Sequence, residues 1–145
     1  MGFYCAIIAY RQRTIRINTF KQKQTLKLEL RSKGEVSMYS ALSVARHIIR
    51  KCDELGRTIS NLKLQKILYF VQAEFLVDTN KPCFNEAIEA WSFGPVVPEV
   101  YRAYKVYGSA NIPVRAASGV DFISQEDQQI IDAMVERCAA YSASQ

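Results

Sequence analysis

The sequence predicts a mainly α protein: a compact single-domain bundle of about four helices with a buried central helix. Apolar residues recur at three- and four-residue spacing in several segments, and one further segment is apolar almost all the way round. The chain has 145 residues, 49% of them hydrophobic, with only 6 Gly and 4 Pro. This composition suits the core of one ordinary domain and excludes a wholly disordered or collagen-like chain.

The first 37 residues carry all of the net positive charge. They hold eight basic and two acidic residues, a net charge of +6, whereas residues 38–145 hold 11 basic and 12 acidic residues, a net charge of −1. We therefore divide the chain into a basic N-terminal arm, residues 1–37, and a helical domain, residues 38–145. A basic arm can track a phosphate backbone. Its candidate nucleic-acid contacts are Arg11, Arg13, Arg16, Lys21 and Lys23.

Two interpretations of the arm remain open. Apolar residues alternate with polar ones around Ile15 and Ile17 and around Leu28, which is typical of two short strands, so the arm is either a β-hairpin or an extended segment. Alternatively it is translated leader. The codons for residues 34–36 can contain a purine-rich ribosome-binding sequence, and Met38 follows at the distance of a translation start.

The domain begins with an amphipathic helix from Ser40. Ala41, Ala45, Ile48 and Cys52 share its apolar face, and Gly56 follows where a helix C-cap is expected. The single histidine, His47, falls on the charged face. We interpret it as a solvated side chain rather than as a general base, because no nucleophile or orienting partner is visible.

The predicted central helix covers residues 61–78. It begins after the cap-type residue Ser60, and apolar side chains then occur nearly all the way round, as is usual for a buried helix. We predict that residues 84–91 form a short extended stretch. Gly94 and Pro95 predict a tight turn, followed by a helix that starts at Pro98 and ends at Gly108.

The last predicted helix begins after Ser124, following a loop over residues 109–123. Its apolar face is formed by a set at helical spacing: Ile130, Ile131, Met134, Val135, Cys138 and Tyr141. Tyr101, Tyr104 and Tyr107 recur every third residue in the preceding helix, which favours core packing over a stacking platform.

The sequence predicts neither an enzyme nor a metal protein. It lacks a phosphate-binding glycine loop, a nucleophile elbow and a histidine pair, and its four cysteines form no Cys-x-x-Cys pair. We expect no cofactor, and we interpret the carboxylates Glu86 and Glu89 as solvated. The longest apolar run, residues 5–10, is far shorter than the roughly 20 residues of a membrane span, so we expect a cytoplasmic protein with no membrane partner.

Three separated motifs resemble a known family. Residues 62–73 (LKLQKILYFVQA), 82–91 (PCFNEAIEAW) and 94–101 (GPVVPEVY) occur in the order and spacing of the Panacea antitoxin domain, the family of SocA-like antitoxins and phage-associated GepA-like proteins. The resemblance extends from about Tyr39 to Gly108. Family members commonly continue into a segment with a Leu-Thr-His signature and a tryptophan, which this chain lacks.

The resemblance implies a helical module that neutralises a toxin by direct complex formation, and in one family member delivers it to the ClpXP protease. The motif positions carried over to this chain are mostly apolar, and we interpret them as fold-defining, with Trp91 as a core anchor. They are Leu64, Lys66, Leu68, Tyr69, Ala73, Trp91, Gly94, Pro95, Val96 and Tyr101.

Three functions stay open at this point. The first is an antitoxin that binds an unidentified toxin. The second is a proteolytic adaptor or phage anti-defence protein of the same fold, and the third, less favoured, is a nucleic-acid binder that uses the arm. The sequence identifies neither the interface nor the oligomeric state.

Overall fold

The structure, a computed structural model, describes residues 38–139. Four α-helices and a two-stranded hairpin form this part of the chain, which confirms the mainly α prediction. The predictions for the N-terminal arm, including its nucleic-acid contacts, and for Tyr141 lie outside the described residues. The elements are α1 (Ala41–Glu54), α2 (Asn61–Thr79), β1 (Glu89–Trp91), β2 (Gly94–Val96), α3 (Pro98–Tyr104) and α4 (Gln125–Ala139), with 3-10 turns at Lys105–Tyr107 and Val114–Ala117.

The helix starts follow from local chemistry. The Ser40 hydroxyl accepts a hydrogen bond from the Ser43 backbone N–H at 3.0 Å and caps α1. Ser60 caps α2 in the same way through the Lys63 N–H. Pro98 occupies the first turn of α3. Backbone N–H groups in the first turn have no partner within the helix, so a proline there costs no helical hydrogen bond.

Helix α2 is the central element, as predicted, because α1, α3, α4 and the hairpin all pack against it. Its fully buried side chains include Leu64, Ile67, Leu68 and Val71, which meet the apolar faces of α1 and α4 in one core. Burying a large aliphatic side chain contributes about 1.5–3 kcal/mol. The shared core therefore determines how these helices assemble.

Tyr39 fastens the start of the domain to its last helix. Its backbone N–H donates to the Cys83 carbonyl at 2.9 Å, and its hydroxyl donates to the Asp127 carboxylate at 2.6 Å. The Ser124 N–H in turn donates to the Tyr39 hydroxyl at 3.2 Å. The two contacts of the Tyr39 hydroxyl join sequence positions 85 and 88 residues apart.

The structure differs from the sequence-based expectations around residues 89–107. The extended stretch is confirmed as β1, but Gly94 and Pro95 are not a turn: they pair with Trp91 and Ala90 as strand β2, and the turn lies at residues 92–93. Gly94 has a φ of +121°, a backbone conformation that favours glycine. Of the three tyrosines predicted to be in the core, Tyr104 is buried, whereas Tyr101 is exposed.

Candidate protein-binding surface

The family-motif residues separate into a buried set and a surface set. Leu64, Leu68 and Val96 are buried in the core. Tyr69, Trp91 and Tyr101 are exposed, and Lys66, Ala73, Gly94 and Pro95 are partly exposed. The interpretation of Trp91 as a core anchor is therefore wrong. The hairpin is too short to bring an inward-facing β1 side chain into the core, and all three residues of β1 are exposed.

One face of α2 remains uncovered by the described elements. Its residues follow one another at four- and three-residue steps along the helix, and we call them the α2 seam: Leu62, Lys66, Tyr69, Ala73 and Leu76. Val77 lies beside the seam and is also exposed. The apolar pattern predicted a central, buried helix whose polar residues reach the surface, and apolar Leu62, Tyr69, Leu76 and Val77 are exposed as well. Alternating steps of three and four residues are the spacing by which one helix packs against another in a coiled coil.

A buried amide network holds the hairpin and α3 against α2. The Gln65 side-chain oxygen accepts the Val97 backbone N–H at 2.9 Å, and the Gln65 amide donates to the Asn61 side chain at 3.0 Å. Asn61 then donates to the Tyr101 carbonyl at 3.1 Å. Because these groups are buried, each lost partner would leave an unsatisfied polar group at a cost of about 1–3 kcal/mol. The network therefore holds the end of the hairpin and α3 against α2.

Trp91 has two side-chain partners although it is exposed. Its indole N–H donates to the Glu89 carboxylate at 2.8 Å. Its ring meets the Tyr101 ring edge-on, with 5.0 Å between centroids and an interplanar angle of 66°. Edge-to-face pairs of this kind contribute about 0.5–1.5 kcal/mol beyond the area they bury. Glu89, interpreted from the sequence as a solvated carboxylate, thus orients the indole.

Glu86 and Gln72 hold the segment that leads into β1. The Glu86 carboxylate accepts a hydrogen bond from the Ala41 backbone N–H at 2.9 Å, at the start of α1. Its interpretation as a solvated carboxylate is therefore wrong. The Gln72 side chain accepts from the Cys83 N–H at 2.9 Å and donates to the Phe84 carbonyl at 2.9 Å. This segment is thereby fixed to both α1 and α2.

Hydrogen bonds from two arginines of α1 to Asp121 hold the loop before α4. Asp121 accepts hydrogen bonds from Arg46 Nε at 2.8 Å and from Arg50 at 3.2 Å, and its side chain is 2% exposed. The hydrogen bond from Arg46 lowers the pKa of Asp121 to about 2. The neighbouring Val120 and Phe122 point outward and are almost fully exposed. The loop is therefore a rigid support for two apolar side chains.

The packing of Gly119 explains why this loop lies so close to α1. Gly119 has a φ of +142°, and a Cβ at this position would come within 3.3 Å of Arg46 Nε. Only glycine suits both the backbone conformation and the close approach. Neither Gly119 nor the Arg46–Asp121 pairing could be recognised from the sequence, because the two partners lie 75 positions apart.

His47 is not solvated, contrary to the sequence-based interpretation. Its Nε2 lies 2.7 Å from the Asp132 carboxylate, and Lys51 lies 3.2 Å from the same side chain. These contacts join α1 to α4. Among residues 38–139 no group of three or more His, Cys, Asp or Glu side chains is arranged to hold a metal ion.

The described cysteines are Cys52, Cys83 and Cys138, and all three are buried as free thiols. Burial raises the pKa of each thiol, and it raises that of Cys138 to about 11. The thiolate is the reactive form, so these side chains are suited to packing rather than to nucleophilic chemistry.

No helix within the described part of the chain combines the length and apolar character of a membrane span. The described residues thus form a small, mainly α-helical domain with apolar side chains exposed on α2 and on the hairpin.

Comparison with known proteins identifies the family. Residues 64–145 match the family described as "Antitoxin SocA-like, Panacea domain", and the chain belongs to this family. It is 47% identical over 76 residues to the protein named Antitoxin SocA of Caulobacter vibrioides (strain NA1000 / CB15N). The aligned region covers 52% of this chain and 40% of that relative, so the chain spans less than half of the relative's length. No solved structure matches the chain.

The motifs in the sequence indicate the family but not the exposed residues. Tyr69, Trp91 and Tyr101 were predicted to define the fold, yet all three are exposed. Leu62, Leu76 and Phe93 are also exposed, and no motif marks them as surface residues. The spacing of Leu62, Tyr69 and Leu76 places them on one helical face, but nothing in the local sequence shows which face of an apolar helix the other elements leave exposed.

Proposed function

We propose that this chain is an antitoxin that neutralises a cognate protein toxin by forming a direct complex with it. The observation that carries the proposal is membership of the SocA-like antitoxin family, supported by 47% identity to a protein named Antitoxin SocA. The proposed toxin is a protein encoded beside this chain, in a bacterial or prophage genome.

The surface supports a binding role. Interface centres are enriched in tyrosine, tryptophan and phenylalanine, whereas monomer surfaces rarely expose several such side chains together. Tyr69 on α2, Trp91 and Phe93 in the hairpin and Tyr101 in α3 are all exposed. Binding a folded toxin requires such a surface and requires no catalytic group.

Co-expression tests the proposal. Each gene that flanks the gene of this chain is expressed from an inducible promoter, with and without the full chain. We expect one flanking product to stop growth by itself, and the chain to restore growth and to elute with that product in size-exclusion chromatography. The control is Ile48→Asp, which places a charge in the core and should abolish rescue. Absence of a toxic neighbour would contradict the proposal.

A proteolytic adaptor is the second candidate, and one observation favours it. The Asp121 loop displays Val120 and Phe122 on a support that involves α1 and not the α2 seam. Two separate apolar surfaces would allow one chain to hold a toxin and a ClpXP-type protease together. Purified ClpXP and ATP should then degrade the toxin only when the chain is present. Toxin stability unaffected by the chain in this assay would count against the adaptor role.

A further inference from the structure

Strand β1 has one edge with which no described strand pairs. It forms a two-stranded sheet with β2, so within residues 38–139 its backbone is paired on one side only. All three residues of β1 are exposed. The open edge of a strand presents backbone N–H and C=O groups to which another extended segment can bind.

The proline in β2 determines which backbone groups face this open edge. Opposed residues of an antiparallel pair either exchange two hydrogen bonds or exchange none, and the two types alternate along the strands. Ala90 lies opposite Pro95, which has no backbone N–H, so this pair is of the second type. The N–H and the C=O of Ala90 therefore both point away from β2.

The side chains of β1 make the open edge complementary to itself. Glu89 and Trp91 lie on one face of the strand, where the Glu89 carboxylate accepts the indole N–H at 2.8 Å, and Ala90 lies on the other face. A second β1 that runs antiparallel, with Ala90 opposite Ala90, places each Glu89 opposite Trp91 of the second copy. A carboxylate then meets an indole on both sides, and no like charges are opposed.

Other registers of the same strands fit less well. A shift by one residue places the backbone groups of Ala90 opposite Glu89, whose own groups face β2. A shift by two residues either opposes the two Glu89 carboxylates or requires Ser92, which lies in the turn. The register with Ala90 on the symmetry axis is therefore the favoured one.

We propose that a second copy of this chain pairs with the open edge of β1, so that the two hairpins form one continuous antiparallel sheet across a two-fold axis at Ala90. Each β1 supplies the N–H, the C=O, the carboxylate and the indole that the other can use. A contact of this kind is isologous and closes as a dimer. This inference goes beyond the proposed antitoxin function and does not depend on it.

The contact is small, so the dimer should be reversible. The pairing involves a strand of three residues from each chain and covers part of Trp91, which is 41% exposed. Interfaces below the standard size of about 800 Å² on each partner are typical of weak complexes, and we expect a Kd of about 10–300 μM.

Sedimentation equilibrium of the purified full chain, from about 5 to about 500 μM, measures this Kd. Trp91 is the single tryptophan of the chain, so its fluorescence gives an independent reading of the same edge. We expect its emission to shift to shorter wavelength as the concentration rises, because the second copy excludes water from the indole.

Substitutions at Ala90 test the pairing and its register. Ala90→Pro removes the outward N–H and no β1–β2 hydrogen bond, so it should weaken the dimer at least about 10-fold without unfolding the domain. Ala90→Lys and Ala90→Glu each oppose two like charges across the axis and should each weaken it at least about 3-fold. An equal mixture of these two variants opposes Lys to Glu and should associate at least about 3-fold more tightly than either variant alone.

Ala133→Lys is the matched control. It adds the same charge at another exposed alanine, on α4, and should leave the Kd within about 2-fold. Circular dichroism and thermal unfolding establish that each variant is folded.

Three results would overturn the proposal. One is a chain that stays monomeric at about 500 μM, well above the expected Kd. Another is a dimer that Ala90→Pro leaves unchanged, or that the Lys and Glu mixture does not strengthen, because its contact would lie elsewhere. The third is a monomeric chain whose affinity for the toxic flanking product falls on Ala90→Pro, which would assign the edge to a strand of the toxin.

Discussion

Asp121→Asn is the substitution whose effect can be worked out most directly from the structure. The side chain is 2% exposed and accepts hydrogen bonds from both Arg46 and Arg50. Asparagine has nearly the same shape but replaces one acceptor oxygen with an NH2 donor that faces the two guanidinium groups. The substitution therefore removes the negative charge and the acceptors of one oxygen while leaving the volume of the side chain almost unchanged.

The size of the effect follows from proton linkage. The folded protein lowers the pKa of Asp121 from 3.8 to about 2, chiefly through the hydrogen bond from Arg46. At about 1.4 kcal/mol for each pH unit, the ionised carboxylate contributes about 2 kcal/mol to the free energy of unfolding. A lowered pKa means that this contribution is complete above pH 5, decreases below pH 4, and is lost as the pH falls through about 2.

Urea denaturation followed by far-UV circular dichroism measures the difference. At pH 7 we expect Asp121→Asn to lower the free energy of unfolding by about 2 kcal/mol, and the melting temperature by roughly 8–16 °C. The gap between variant and wild type should narrow steadily from pH 5 to pH 2. Asp53→Asn, at an exposed position in α1, serves as the control and should change little.

Two results would refute this reasoning. A loss below about 0.5 kcal/mol at pH 7 would show that the paired carboxylate stabilises the fold no more than a surface ion pair does. A loss that stays constant between pH 7 and pH 3 would show that the effect does not come from the charge. Either result would remove the argument that Asp121 rigidifies the loop that carries Val120 and Phe122.

Three further predictions concern the core and the arm. Gln65→Leu removes the acceptor of the buried Val97 backbone N–H and should lower the free energy of unfolding, measured in urea, by about 2–4 kcal/mol. The exposed control Gln129→Leu should lower it by less than about 0.5 kcal/mol. Equal losses would contradict the amide network. The three buried cysteines between residues 38 and 139 should react with maleimide at least about tenfold more slowly in the native state than in urea, because burial raises the pKa of each thiol. Peptide mapping of the labelled protein measures this, and fast labelling in the native state would contradict it. We propose that residues 1–37 are a segment separate from the helical domain. A chain that starts at Met38 should therefore retain its melting temperature within about 3 °C and no longer bind a heparin column. Loss of cooperative unfolding would contradict the division between residues 1–37 and 38–145.

Much of the fold was predictable because it depends on local patterns. The boundaries of α1 and α2 follow from Ser40 and Ser60, two caps whose hydroxyl groups act within three residues. The start of α3 at Pro98 follows in the same way. Hairpin β1–β2 was only half predicted, because its second strand, residues 94–96, contains a glycine and a proline that are commoner in turns than in strands.

The candidate surface was less predictable. Trp91 and Tyr69 were recognised as motif positions, yet their burial depends on how many elements cover α2 and on which side they do so. The hydropathy of a tryptophan does not show whether Trp91 lies in the core or at an interface. The contact of His47 with Asp132, 85 positions later, has no signal in either local sequence.

The sequence by itself determined the helical class, the limits of the main helices, the concentration of positive charge before Met38 and the family to which the chain belongs. Each of these depends on neighbouring residues or on motif order. Only the tertiary structure decided that Leu62, Tyr69 and Leu76 of α2 are exposed, that Glu89 and Tyr101 contact Trp91 at the surface, and that Asp121 joins the loop to α1. Such features arise where distant segments meet, and packing geometry rather than local propensity decides which side chains the core leaves uncovered.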